Sequence, residues 1–444
     1  MIDRESTLRD DALARSSAPF IQGTSSLRRR SRARAGCPHV PPLVATRAVS
    51  LRSPTLNLPV RSDVASGEPR YRFGFVLNTT IGNLTRFENL RKYAARDLDV
   101  RCSWTPVTHL LSVDAASTLR GLPWALAVRL WVLRQMWPAL LTLAQQDVVM
   151  LHLFEAEIAC VARSYFSRRP ALVSSTDEAP IVDPDSYPVY PNQMSKPRWR
   201  RSFRLWLDRW RASRIDAFIP FTAWGARLLE ASCKVPREQI FPIHVGLDLE
   251  VWTPRGPRRM ASGELPRLLF VGADFDRKGG NLLLRVFERH FSDSAELHIV
   301  SSQAPEDLPG RVHVHRDLQP NDARLIALYA SCDLLVLPTD ADLVPWSVLE
   351  AMAMQLPVVS TGVGAIPEIV VHDVTGVIVP AGDAEALANA IAGLLSDPDL
   401  RRAMGQRGRE RIESDFDAAL NVPRILAVMK SLADGRRAAL GAAT

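Results

Sequence analysis

Residues 334–370, LLVLPTDADLVPWSVLEAMAMQLPVVSTGVGAIPEIV, decide the fold. Two short apolar runs, residues 334–337 and 357–360, lack the polar alternation of a half-solvated strand, and residues 345–354 between them have the composition of a helix. Two uniformly apolar strands joined by a helix are what a parallel sheet covered on both faces requires. Ligands of such sheets bind at the carboxyl ends of the strands, so the acidic loop 340–342 and Glu350 are expected at a ligand edge. Pro345 suits the first helical turn, where a missing N–H costs nothing. The same strand–helix alternation recurs in both halves of the chain. It predicts an α/β architecture of two doubly wound, Rossmann-like domains facing a central cleft.

Two further stretches point to a ligand edge. In residues 272–280, GADFDRKGG, Lys278 and two glycines precede a predicted helix, and free N–H groups with the helix dipole make such a terminus an anion site. Gly82 lies in the loop after a predicted strand at 71–77, where a glycine lets backbone approach a ligand. Residues 147–154 and 171–174 read as buried strands whose ends bring His152, Asp177 and Glu178 toward the cleft. These are candidates to contact an acceptor, although a histidine in an apolar strand is equally read as a satisfied core residue.

An acidic residue, seven residues, then Glu-Ala-Met-Ala and a Pro-Val-Val strand together resemble the donor-site signature of retaining GT-B glycosyltransferases, the glycosyl transferases group 1 or family 4-like enzymes. The downstream GVGAIPEIV of residues 362–370 agrees with it. The resemblance implies that Asp342, which stands where the family usually has Glu, is the catalytic residue acting on the transferred sugar. It implies that Glu350 holds the nucleotide ribose and Lys278 the diphosphate. Ala273 replaces the family's usual arginine, a place Arg277 can take, and residues 343–346 (LVPW) replace the usual Gly-rich loop. Donor contacts are also implied for Trp346, Ser347, Gly82 and, near the base, Arg316. The implied reaction moves a sugar from a nucleoside-diphosphate sugar to a glycan or lipid-linked acceptor in glycan biosynthesis. It needs no cofactor and no metal, because Lys278 and backbone amides face the leaving diphosphate.

Composition bounds the alternatives. The chain has 444 residues, 47% of them hydrophobic, enough for two or three domains. Five scattered cysteines without CxxC spacing (Cys37, Cys102, Cys160, Cys233, Cys332) argue against a disulfide framework or zinc module and for a reducing cytoplasm. Residues 1–62 hold eleven Arg against four acidic residues, a balance of +7 that equals the charge of the whole chain. The remainder is neutral, so nucleic-acid binding by the folded part is not expected. Residues 1–68 read as a disordered basic extension, 69–252 as the acceptor domain, 253–266 as a Pro- and Arg-rich linker, 267–415 as the nucleotide-sugar domain and 416–444 as a helical tail returning to the first domain.

Residues 122–143 are apolar but broken by Arg129, Arg134, Gln135 and Pro138, which predicts a packed helix and not a membrane span. Over residues 198–211, Trp199, Phe203, Trp206 and Trp210 fall on one helical stripe flanked by arginines. The stripe either packs on the first domain or rests on the inner face of a membrane as a peripheral contact; burial separates the two.

Rival functions are a sugar-nucleotide epimerase on the same fold, a noncatalytic degenerate transferase that only binds, and a metal-dependent transferase using Asp340 and Asp342 as a DxD. Asp-x-Asp also occurs at 183–185, 274–276, 397–399 and 415–417, which leaves the last pattern uninformative. GVGAIP at 362–367 lacks the third glycine of a dinucleotide fingerprint, so a nicotinamide dehydrogenase is not expected.

Overall fold

A computed structural model describes residues 68–79, 83–108, 124–152, 169–176, 198–254, 263–308 and 310–441. The extension expected over 1–68, apart from residue 68 itself, and the candidates Gly82, Asp177 and Glu178 lie outside these residues.

Eleven strands form two sheets among the described residues. In the first, β1 (Tyr71–Asn78), β2 (Val100–Val107), β3 (Val148–Leu151), β4 (Ala171–Thr176) and β5 (Ala217–Pro220) lie in the order β2-β1-β3-β4-β5. The second holds β6 (Arg267–Val271), β7 (Glu296–Val300), β8 (Val312–His315), β9 (Leu334–Leu337), β10 (Val358–Thr361) and β11 (Gly376–Val379) in the order β11-β10-β9-β6-β7-β8. Every pairing is parallel. Burial explains the run-on hydrophobicity of the central strands: β3, β5, β9 and β10 are buried at every position.

Sequence reading passed over β2. Its polar Arg101, Ser103 and Thr105 alternate with Val100, Cys102 and Trp104, because an edge strand keeps one face near water. The strand predicted over 147–154 closes at Leu151, so His152 begins the loop at its carboxyl end. Pro345 is the residue that caps the helix Trp346–Ala353, with extended backbone, and does not belong to its first turn.

The helix Ala418–Gly441 packs on the first sheet: Val422, Leu426 and Met429 are buried in one cluster with Phe73, Phe75, Met150 and Val173. It also forms ion pairs from Lys430 to Asp97, Arg436 to Asp216 and Arg437 to Asp147. Partly exposed pairs are worth about 0–1 kcal/mol each, whereas burying a Val, Leu or Met side chain is worth about 1.5–3 kcal/mol, so the apolar face holds this helix. The chain reaches it by a close crossing in which Leu247 N–H donates to Phe416 O (2.7 Å) and Ala418 N–H to Leu247 O (2.9 Å). A Cβ on Gly246 would stand 2.4 Å from Ala418 Cα, which is why glycine sits there.

The helix Trp124–Thr142 buries Val132, Met136 and Leu140 against the opposite face of the first sheet, as expected of a packed helix. No helix among the described residues is long and apolar enough to cross a membrane.

Candidate active site

In the second sheet the chain leaves β6 in two directions: β7 lies on one side and β9 on the other. This reversal opens a crevice between the loops that follow β6 and β9, the usual ligand position in a doubly wound sheet. The sequence candidates Arg277 and Lys278 sit on the first loop, Asp342 on the second, and Trp346, Ser347 and Glu350 on the helix that follows.

The two loops are knitted together. Arg277 O accepts from Thr339 Oγ1 (3.1 Å) and from Asp340 N–H (3.0 Å). The Arg277 guanidinium donates to Asp274 Oδ2 (2.8 Å) and to Ala341 O. Gly279 then turns the chain into the helix Gly280–His290 with a left-handed φ of 81°, and a Cβ there would overlap Pro338 O at 2.0 Å. This tight seat aims Lys278 across the crevice, where Nζ pairs with Asp342 Oδ2. Their side chains are only 15% and 11% exposed, and Asp342 Oδ1 also accepts from Leu343 N–H (2.9 Å). Asp340, the other half of the Asp-x-Asp, is exposed.

Glu350 is buried one turn into the helix Trp346–Ala353. Tyr329 Oη donates to Glu350 Oε2 (2.8 Å). Burial dominates and pushes the Glu350 carboxyl up to about 7, against the smaller opposing effects of the Tyr329 hydrogen bond and the Lys278 charge. Ser347 is buried, while Trp346 is half-buried against the domain core. Arg316 is exposed at the end of β8, where its guanidinium donates to Ser302 O (3.1 Å) and Pro305 O (3.0 Å). Like Arg277, it holds a loop in place through backbone carbonyls.

In the first sheet, His152 is buried at the carboxyl end of β3, beside β1, where the strand order reverses. Asp177 falls outside the described residues.

Residues 265–397 match the family model described as Glycosyl transferases group 1. The second domain belongs to that family. Among curated relatives, the chain is 29% identical to the alpha-maltose-1-phosphate synthase of Mycolicibacterium smegmatis over 245 residues, which is 48% of this chain and 62% of that protein. The chain spans less than two thirds of the length of the first curated relatives it matches, between 25% and 62%. A solved sucrose-phosphate synthase from Thermosynechococcus elongatus superposes with a TM-score of 0.65 at 19% identity, covering 82% of this chain and 99% of that one. The Anabaena protein HepE, solved in complex with UDP-glucose, superposes with a TM-score of 0.61 at 16% identity, covering 81% of this chain and 100% of that one. These similarities extend over both sheets and establish the GT-B fold for the chain.

Within this group 1 domain, sequence reading missed Tyr329. Its signal was weak, a single tyrosine in the apolar helix Ala323–Ser331, yet a tyrosine buried that deeply needs a partner for its hydroxyl, and Glu350 is that partner. Trp252 closes the other side, its ring edge-on to Tyr329 at 5.2 Å, and fixes the orientation of the phenol. The first domain holds a second missed residue. Arg86 is buried, donates to Ser175 Oγ just beyond β4's midpoint and lies 4.4 Å over the Phe221 ring after β5. Nothing in LTRFENL distinguished it from a solvated arginine on a helix.

Proposed function

We propose that the protein is a retaining glycosyltransferase that moves a sugar from a nucleoside-diphosphate donor to a carbohydrate or lipid-linked acceptor. The observation that carries this reading is the convergence of Lys278, Asp342 and Glu350 on one crevice of a group 1 glycosyl transferase domain. Lys278 and the N-terminus of the helix Gly280–His290 supply positive potential for the leaving diphosphate, so no cation is required there. In the resting pair Asp342 keeps that charge in place. A bound diphosphate takes over part of the Lys278 interaction and leaves Asp342 to the hydroxyls of the transferred sugar. Glu350 accepts from the ribose, braced by Tyr329. Trp346 and Ser347 line the donor from the first turn of their helix, while Arg277 and Arg316 act through the loops they fasten. His152 and Asp177 serve the acceptor side.

A uridine nucleotide is the first donor to try, since HepE was solved with UDP-glucose. In a thermal-shift panel of nucleoside diphosphates and sugar nucleotides, the cognate donor at about 100 times its Kd raises stability by about 2.7 kcal/mol. Turnover with an acceptor should persist in EDTA and give a product with the anomeric configuration of the donor. Inversion, or activity that EDTA abolishes and Mn²⁺ restores, would sink the corresponding part of the reading. Failure of every nucleotide to shift the protein would sink the whole.

We further propose that the enzyme works in the cytoplasm against an anionic membrane surface. The five scattered cysteines without CxxC spacing are in keeping with a reducing compartment. On the helix Arg198–Ala212, Trp199, Phe203 and Trp206 are 66%, 58% and 59% exposed, whereas Trp210 packs into the first domain's core. At the same end Asp208 and Arg211 are buried and pair with each other (2.6 Å), and Arg209 ties the helix to its neighbour, its Nε donating to Ser232 O (3.0 Å). A fixed base presenting three aromatic rings on a basic helix is how an interfacial helix meets anionic lipid. Flotation with anionic vesicles should fall sharply, with the fold unchanged, when Trp199, Phe203 and Trp206 all become Ala. Equal flotation of this variant and the wild type would remove the membrane from the reading.

A further inference from the structure

Strands β7 and β8 pair in register, His298 beside His313 and Val300 beside His315. With side chains alternating along each strand, Glu296, His298, His313 and His315 share one face, while Leu297, Ile299, Val312 and Val314 turn to the core on the other. Since β8 is the edge of the sheet, this polar face is only partly covered, and His313 is exposed.

The cluster is ordered around His298. Its Nδ1 lies 3.2 Å from His315 Nε2, and its ring stacks with those of His313 and His315 at centroid distances of 4.9 and 5.5 Å. The opposite nitrogen, Nε2, is buried without a hydrogen-bond partner among the described residues. Glu296 Oε2 lies 3.7 Å from it, too far for a hydrogen bond. One ligand atom each from Glu296, His298 and His313 lie within 4.8 Å of one another. When Nδ1 of His298 carries the proton and donates to His315, Nε2 presents its lone pair to the space shared with Glu296 and His313.

We propose that Glu296, His298 and His313 bind a first-row divalent cation of the zinc class, with His315 as a positioning residue that orients His298. Imidazole nitrogen and carboxylate oxygen are the donors such ions take, at about 2.0–2.2 Å, and a second ring nitrogen held by a neighbour is the usual support of a ligating histidine. Closing the three atoms onto one ion needs only side-chain rotation, which the exposed His313 can supply. Glu296 also accepts from Arg267 Nε at 3.0 Å, and Arg267 is shared in turn with Glu264 at 3.3 Å. A carboxylate has lone pairs for both the guanidinium and the ion, so Arg267 orients Glu296 as His315 orients His298. None of these residues belongs to the donor crevice, so the ion would tie the edge strand to its neighbour and leave transfer chemistry to Lys278.

The test uses the full chain without a polyhistidine tag, stripped by chelator and titrated with Co²⁺. One equivalent is expected to produce the visible absorption of nitrogen-ligated cobalt and to be displaced by Zn²⁺. His313→Ala, a change at an exposed position, should abolish the signal, and Glu296→Gln should weaken it. His315→Ala should bind about 10–100-fold more weakly while keeping the cobalt spectrum. Nucleotide binding should be the same in wild type and His313→Ala. Absence of a stoichiometric cobalt signal, or a signal unchanged in His313→Ala, would overturn the site.

Discussion

Lys278→Ala is expected to lower kcat by about 10²–10³-fold, the cost of removing one preorganised group that stabilises charge developing on a departing oxyanion. Stability should fall with it. The ammonium is a side-chain partner of the largely buried Asp342 carboxylate, and deleting one member of a buried pair costs about 3–5 kcal/mol because the other charge loses that compensation. The two losses are separable. In the double variant Lys278→Ala, Asp342→Asn the stranded charge is gone, so the melting temperature should recover most of the way toward wild type while kcat stays low. If either variant turned over within tenfold of the wild type with donor saturating, Lys278 would be a structural lysine and the diphosphate would lie elsewhere.

Glu350→Gln should stabilise the protein at pH 8 and weaken its hold on the donor. The Glu350 carboxyl sits at about 7 in the folded chain against an ordinary 4.5, and each unit is worth about 1.4 kcal/mol. Because the folded value lies above the unfolded one, the native state keeps a proton between pH 4.5 and 7 that the unfolded chain has released. The stability this group contributes therefore declines as pH rises through that window and is lowest above pH 7, by roughly 3 kcal/mol. Glutamine has no charge to bury, so the variant's advantage in melting temperature should be largest at pH 8 and vanish near pH 4.5. Donor affinity should move the other way. A hydrogen bond to a charged acceptor is worth about 1.5–3 kcal/mol, so Glu350→Gln should bind roughly 10–100-fold more weakly at pH 8, with little difference at pH 5. Parallel pH–stability curves for the two proteins would show that Glu350 ionises as it does in water. Tolerating this carboxylate is a local sacrifice of stability at a site where it has work to do.

The positions of Asp342 and Glu350 at the carboxyl edge of the second sheet were legible in the sequence because a fully covered parallel strand has a distinctive composition. Leu334–Leu337 and Val358–Thr361 carry their burial in every residue, and the loop and helix between them have little choice of place. Lys278 was legible for a related reason, since Gly279 and Gly280 announce a tight turn, one crowded by Pro338 O and the other by the Phe275 ring. Local chemistry also wrote the amphipathic stripe of residues 198–211 into the chain.

What periodicity could not supply was anything that depends on which elements become neighbours. A stripe of aromatic residues reads the same whether it faces a sheet or water, and only the packing of Trp210 and Arg211 showed that Trp199, Phe203 and Trp206 remain outside. Arg277 reads as a cation for the diphosphate and Arg316 as a contact near the base, and only the folded loops bring to their guanidinium groups the backbone carbonyls that accept from them. Tyr329 and Glu350 are 21 residues apart and meet only because two helices pack over the second sheet, so neither the hydrogen bond nor the raised carboxyl existed in the sequence. The histidines of β7 and β8 likewise become a cluster only through strand register. The sequence by itself determined the α/β layers and the acidic and basic residues at the carboxyl edge of the second sheet, because these follow from short-range pattern and burial. Tertiary structure decided the partners, charge states and exposure of those residues, because they depend on through-space distances that chain order does not encode.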